Sequence, residues 1–165
     1  MSAERAPAPA IGRDRYPFVA QVRVRFAETD AMGVVHHASY LSYLEVARVE
    51  YLRSVGHPYL GVRAEGVEFP VVDLTVRYLR PLRFDELVDV GAAVADVRGA
   101  AFRMHYALWV AGEPRAVAET RHAVVTSTGR PVRVPGWLRA LVHTGPAASG
   151  PPAAAGAGGP ATDRG

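Results

Sequence analysis

The chain of 165 residues contains no cysteine. Disulfides, thiolate nucleophiles and cysteine-ligated metal sites are thereby excluded, and the composition fits a reducing compartment. Lysine is missing as well: all 19 basic residues are arginine, which removes Schiff-base chemistry and a P-loop lysine from consideration. Arginine without lysine, beside abundant Ala, Gly and Pro, reads as a genome-composition bias more than a functional signal. No apolar run approaches the ~20 residues of a membrane span. Residues 1–15 are charged and rich in Ala and Pro, without the apolar stretch of a secretory signal. A soluble, cytoplasmic protein is the expectation. The net charge of +3 is mild, and the arginines alternate with acids instead of forming a stripe. Nucleic acid is therefore not an expected partner, whereas a phosphorylated ligand is compatible with that balance.

What is present suits one domain with a real apolar core. Residues 145–165 are nearly all Gly, Pro, Ala and Ser with no aromatic. Such a segment cannot bury enough apolar surface to offset its ordering entropy. The expected organisation is a disordered segment over 1–16, a working domain over 17–143 and a disordered tail over 144–165.

Within that domain, Ala20, Val22, Val24 and Phe26 alternate with Gln21, Arg23 and Arg25, which predicts a strand with one buried face. From about Ala38 the period becomes helical, with Tyr40, Leu44, Ala47, Tyr51 and Val55 on one side. Gly56 and Pro58 end that helix. Four more alternating runs follow. Val72, Leu74, Val76 and Tyr78 form the first; Val88 to Val94 the second; Phe102 to Val110 the third; Ala116 to Thr126 the fourth. A short terminal helix is expected over Trp137 to Val142. One strand, one long helix and a four-stranded meander predict an α+β domain with a five-stranded antiparallel sheet. One helix covers only one sheet face, so a second subunit is expected against the other, where Trp109 falls.

Chemistry concentrates between the first strand and the helix, at Asp30, Gly33, His36, His37 and Ser39. Asp30, before a flexible glycine and a helix start, suits a nucleophile or general base, with an Asx-type turn cap as the alternative. The backbone N–H of His37 suits an oxyanion donor at the positive end of the helix dipole. A metal held by the histidines with Glu28 or Asp30 is disfavoured, because adjacent residues seldom face one ion. A Ser39–His37–Asp30 triad is disfavoured because side chains two apart diverge. His36 is expected to be a partly buried packing residue. Glu45 with Arg48 and Glu50 with Arg53 are expected to be surface pairs, with Glu45 the one competitor to Asp30.

The run Asp30 to Tyr40, continued by Tyr43-Leu44-Glu45-Val46-Ala47-Arg48 and by Tyr78-Leu79-Arg80-Pro81-Leu82, resembles the 4-hydroxybenzoyl-CoA thioesterase family. Within it, the chain is most similar to the acyl-CoA thioesterase branch associated with the Tol–Pal gene cluster. The resemblance spans about Val22 to Val134. It implies a hotdog fold, a long helix wrapped by an antiparallel sheet, with protomers pairing as homodimers or homotetramers. It implies hydrolysis of an acyl-CoA thioester without a metal or redox cofactor, Asp30 matching the catalytic aspartate and His37 the histidine of a Tyr-His pair. Gly33, Ser39, Arg80 and Arg83 are the expected substrate contacts, the arginines meeting CoA phosphates, with Arg98 next in line. The chain departs from that branch at His36, in place of the tyrosine of the Tyr-His pair, and at Phe26, in place of a tyrosine. A hotdog dehydratase or hydratase and a non-catalytic acyl-thioester or envelope-complex binding module are the alternatives.

Overall fold

A computed structural model describes residues 11–142. Its main sheet has five antiparallel strands: β1 (Phe18–Arg23), β3 (Val71–Tyr78), β4 (Leu87–Arg98), β5 (Ala101–Val110) and β6 (Glu113–Ala123), in the order β1-β4-β5-β6-β3. β2 (Val67–Glu68) and β7 (Val125–Thr126) form a separate two-stranded sheet. The long helix α1 (Ser39–Ser54) packs against β1 and β4. Tyr40, Tyr43, Leu44, Ala47, Tyr51 and Leu52 face inward, against Val88, Val90, Ala92 and Val94 of β4 and Phe102, Met104, Tyr106 and Leu108 of β5. No helix among the described residues is long and apolar enough to cross a membrane.

The C-terminal end of α1 is closed by a glycine. Gly56 takes φ +85°, a conformation that costs other residues roughly 1–2 kcal/mol. The chain then turns back so that the Gly56 N–H donates to the Arg53 carbonyl (3.1 Å) and the His57 N–H to that of Leu52 (2.9 Å). The last carbonyls of the helix thereby find partners. A second helix, α2 (Tyr59–Ala64), comes directly after. Six residues are too few to show a helical period, and the sequence did not announce it. The short helix expected at Trp137 is α3 (Gly136–Arg139).

Three expectations change. The first strand stops at Arg23, and Phe26 lies in a 3-10 turn (Phe26–Glu28), 75% exposed and edge-on to Phe84 at 5.6 Å. Ordered structure begins before Pro17. The Trp109 indole donates to the Ile11 carbonyl (3.1 Å), Arg13 pairs with Asp89 (2.5 Å), and Tyr16 packs edge-on to Trp109 at 5.5 Å. Tyr16, Ala93, Ala107, Trp109 and Val117 make a small second core on the outer face, so the chain itself, rather than a second subunit, covers Trp109. Gly91 permits this: a Cβ there would lie 2.7 Å from the Tyr16 ring and 2.9 Å from Trp109. Residues 1–10 and the tail expected over 144–165 lie outside the described residues.

The third change is at β3. Leu74, Val76 and Tyr78 pair with Thr120, Ala118 and Ala116, all three buried, and so belong to the same inner face as the core. β3 is nevertheless an edge strand, and Val71, Val72, Leu74 and Tyr78 are exposed. α1 lies over the β1–β4 end of the sheet and leaves this strip uncovered.

The core also holds polar groups. The Tyr106 hydroxyl, Thr120 Oγ1 and His122 Nε2 form a chain (3.1 and 2.8 Å) that ends at the Phe69 carbonyl on His122 Nδ1 (3.1 Å). Burial, with a smaller push from Arg48, brings the His122 imidazole down to about 4 against the Phe69 hydrogen bond. Arg48 itself is buried at 8% exposure, its guanidinium 5.4 Å over the Tyr59 ring. Its Nη1 is enclosed without a hydrogen-bond partner. The expected Glu45–Arg48 surface pair is therefore absent, while Glu50 and Arg53 do pair.

Candidate active site

Between β1 and α1 the chain makes a tight reversal. The Gly33 N–H donates to the Asp30 carbonyl (2.9 Å), the Asp30 N–H to that of Val34 (2.9 Å), and Thr29 bridges Val35. Gly33 supplies the positive φ, +74°, that such a turn needs at its fourth residue. Asp30 Oδ1 accepts the Met32 N–H at 2.8 Å, the Asx-type cap weighed from the sequence. Asp30 also lines an open cleft of about 310 Å³ with Met32, Val34, Val35, His37, Tyr40, Tyr78, Leu79, Arg80 and Pro81. One side chain is thus a turn cap and a cleft wall at once.

The start of α1 forms the facing wall. The Val35 N–H donates to the Leu82 carbonyl (2.8 Å), the His36 N–H to that of Glu28 (2.8 Å) and the Ser39 N–H to that of His36 (2.9 Å). The Ala38 N–H donates to His36 Nδ1 at 3.2 Å. The His37 N–H, between them, has no acceptor among the described residues. It stands at the N-terminus of a 16-residue helix, where an oxyanion is favoured by the free donor and by the helix dipole. His36 is exposed rather than partly buried, its ring 4.1 Å from that of His37. It finishes the helix start and does not pack into the core.

The floor is aromatic. The Tyr78 hydroxyl donates to the His37 carbonyl (2.9 Å), and the Tyr40 hydroxyl accepts the Leu82 N–H (3.2 Å). The two rings meet edge-on at 4.9 Å. Burial raises the Tyr40 hydroxyl above its ordinary range, although the Leu82 hydrogen bond opposes this. Tyr78 was expected as a strand residue and as part of the run that carries the resemblance, with no role at the site. Its tie to His37 spans 41 residues, and no local pattern signals it.

Among the expected site residues, the structure brings Asp30, His37 and Arg80 to one cleft. Arg80 reaches Glu113 Oε1 at 2.7 Å. Gly33 shapes the turn without lining the cleft. Ser39 turns its hydroxyl toward the Glu28 carbonyl (3.4 Å). Arg83 is exposed and outside the cleft lining, and Arg98 pairs with Asp96 (2.8 Å) at the end of β4. Glu45 lies in another groove along α1 with Ser42, Val46, Val49 and Glu50. Phe26, packed on Phe84, is not part of the cleft.

Glu28 was weighed only as a metal ligand. It is instead buried at 8% exposure, accepting from the Tyr43 hydroxyl (2.6 Å), the Arg25 N–H (2.8 Å) and the Arg25 guanidinium (2.9 and 2.7 Å). Burial acts to raise its carboxyl, but these donors outweigh it and hold the group below the usual carboxylate range. The Tyr43 hydroxyl is correspondingly pushed up by burial and by the Glu28 charge.

Residues 24–142 match the thioesterase-like superfamily. The chain belongs to that family. Its fold is the hotdog fold. A Thermus thermophilus protein of known structure is 43% identical, with a TM-score of 0.70 over 74% of this chain and 95% of its own. The DHNA-CoA thioesterase of Staphylococcus aureus is 30% identical, with a TM-score of 0.67 over 70% of this chain and 78% of its own. The acyl-CoA thioester hydrolase YbgC of Escherichia coli is 41% identical over 78 residues, 47% of this chain and 58% of its own. This thioesterase-like chain therefore sits among thioester hydrolases.

Proposed function

We propose that the protein hydrolyses acyl-CoA thioesters to free acid and CoA, as a member of the acyl-CoA branch of its family. The observation that carries this is that Asp30 and His37, whose N–H has no acceptor among the described residues, line one cleft at the N-terminus of α1. A thioester carbonyl oxygen placed on the His37 N–H gains a hydrogen bond that strengthens as negative charge develops there. Asp30 then attacks the carbonyl carbon, giving a mixed anhydride that water hydrolyses, or takes a proton from water as it attacks. In either route the thiolate of CoA leaves and water supplies the hydroxyl of the acid. Arg80, which lines the cleft and pairs with Glu113, suits a CoA phosphate.

The site works in an assembly of at least two chains. The open edge and uncovered inner strip of β3 are the surface on which a second copy would extend the sheet into a homodimer, and two such dimers would make a homotetramer. CoA as substrate places the activity in the cytoplasm. The test is thiol release over a panel of acetyl-, hexanoyl-, palmitoyl- and benzoyl-CoA, with sedimentation of the active species. Release that is lost in Asp30→Asn supports the proposal. Binding without release, or loss of enoyl absorbance from an enoyl-CoA without release, overturns it, as does a fully active monomer for the assembly.

A further inference from the structure

The proposed chemistry uses Asp30 and the His37 N–H, which sit on separate pieces of chain. The Asp30 turn is closed on itself by its own two backbone bonds. Residues 24–29, with the 3-10 turn among them, join it to β1, and residues 35–38 join it to α1. Thr29 bridges Val35 across them, Val35 is tied to Leu82 and the His37 carbonyl to Tyr78. Glu28 is the residue that reaches from the first connection to both the start and the second turn of α1. The Glu28 side chain is anchored to α1 through Tyr43 and to the start of the 3-10 turn after β1 through Arg25. The Glu28 carbonyl takes the His36 N–H at 2.8 Å and the Ser39 hydroxyl at 3.4 Å, on either side of His37. A single residue therefore grips the helix start with its carbonyl and the next helical turn with its carboxylate, two positions from Asp30.

We propose that Glu28 is the positioning residue of this cleft, its carboxylate and carbonyl together fixing the separation between the Asp30 turn and the His37 N–H. The proposal rests on the thioesterase reading and deepens it. The buried carboxylate has four donors and no unpaired lone pair to offer a substrate, so it acts through Asp30 and not on the thioester. A displacement of about 1 Å at a reacting group costs on the order of 10²-fold in rate, which sets the scale for loosening this lock. Glutamine has the same shape but accepts at only one oxygen. Its amide would face either the Arg25 guanidinium, at the Oε1 position, or the Arg25 N–H and the Tyr43 hydroxyl together, at the Oε2 position.

The experiment measures kcat and KM for the fastest acyl-CoA of the panel, with thermal melting of every variant. Glu28→Gln and Tyr43→Phe should each lower kcat about 10- to 100-fold, with KM changed less than about threefold. In an Asp30→Asn background Glu28→Gln should cause no further loss, because the group it positions is already gone. Tyr43→Phe keeps the carboxylate and both Arg25 contacts, and carries the test if Glu28→Gln does not fold. Unchanged kcat in folded Tyr43→Phe, with Asp30→Asn inactive, overturns the positioning role and leaves the thioesterase reading standing. Losses that multiply in the Asp30→Asn background overturn it as well. Full activity in Asp30→Asn would instead overturn the reading beneath it.

Discussion

The two ends of α1 have been treated in opposite ways. At the C-terminus the carbonyls are closed: Gly56 and His57 N–H groups fold back onto Arg53 and Leu52, the Ser54 hydroxyl donates to the Tyr51 carbonyl (2.7 Å), and the His57 ring stacks on Trp137 at 3.8 Å. At the N-terminus the His37 N–H is left without an acceptor among the described residues, beside two exposed histidines and a half-buried aspartate. In the proposed reading, one end contributes to stability and the other receives the substrate carbonyl. The distinction teaches where substitutions should be felt, since a change at either end ought to alter one property and spare the other.

The largest expected effect is at the open end. Asp30→Asn retains an oxygen for the Met32 N–H, so the turn should survive and the melting temperature should hold. Turnover should fall roughly 10²–10⁴-fold, the scale of a lost general base. Thiol release and a thermal melt of the same sample check both halves.

Acid should act on the closed interior that α1 covers. The His122 imidazole sits near 4 in the folded chain, against an ordinary 6.5. Between those values the unfolded chain binds a proton that the folded chain does not. Stability is therefore complete above about pH 6.5 and falls as pH drops toward 4, by about 3 kcal/mol in all. Chemical denaturation at pH 7, 6 and 5 should show the decline, and His122→Gln should flatten it.

Smaller effects separate the two ends most cleanly. Gly56→Ala meets no neighbour within 4 Å, so its cost is purely that of the backbone, about 1 kcal/mol. It should lower the denaturation midpoint and leave kcat alone; a kinetic loss would mean that the two ends are coupled through the helix. His37→Ala removes the imidazole and keeps the N–H. The expected loss is about tenfold or less, and a loss equal to that of Asp30→Asn would move the chemistry from the backbone to the ring.

The succession of strand, helix and four further strands was legible because alternation and the helical period are local signals. The expected four-stranded meander was not what formed: β3 pairs with β6 at the far edge, and β1 takes the place beside β4. Also legible was the Asp30–Gly33–His37 group, whose members lie within eight residues and are joined by a turn and a helix start. What was hidden depends on partners distant in sequence. β3 alternates like any half-buried strand, and only its edge position beyond α1 leaves its apolar residues open. Arg48 falls at a spacing suited to a surface pair, yet α2 packs over it. Glu28 could not be paired with Tyr43 from spacing alone, since the loop between them has no period. The arginines were the least legible. Nothing local separates Arg80, in the cleft, from Arg83, three residues on and outside it.

The Gly91 notch bears on where this protein begins to behave as a unit. Tyr16 sits in the space that a side chain on β4 would occupy, and Trp109 is held from above by chain that comes before the first strand. Melting of the sheet should therefore release the segment from Ile11 to Tyr16 in the same step, as one cooperative block. A shortened protein starting at Pro17 would expose an indole and a strip of small side chains to solvent, and would show it as stickiness between molecules before any loss of catalysis.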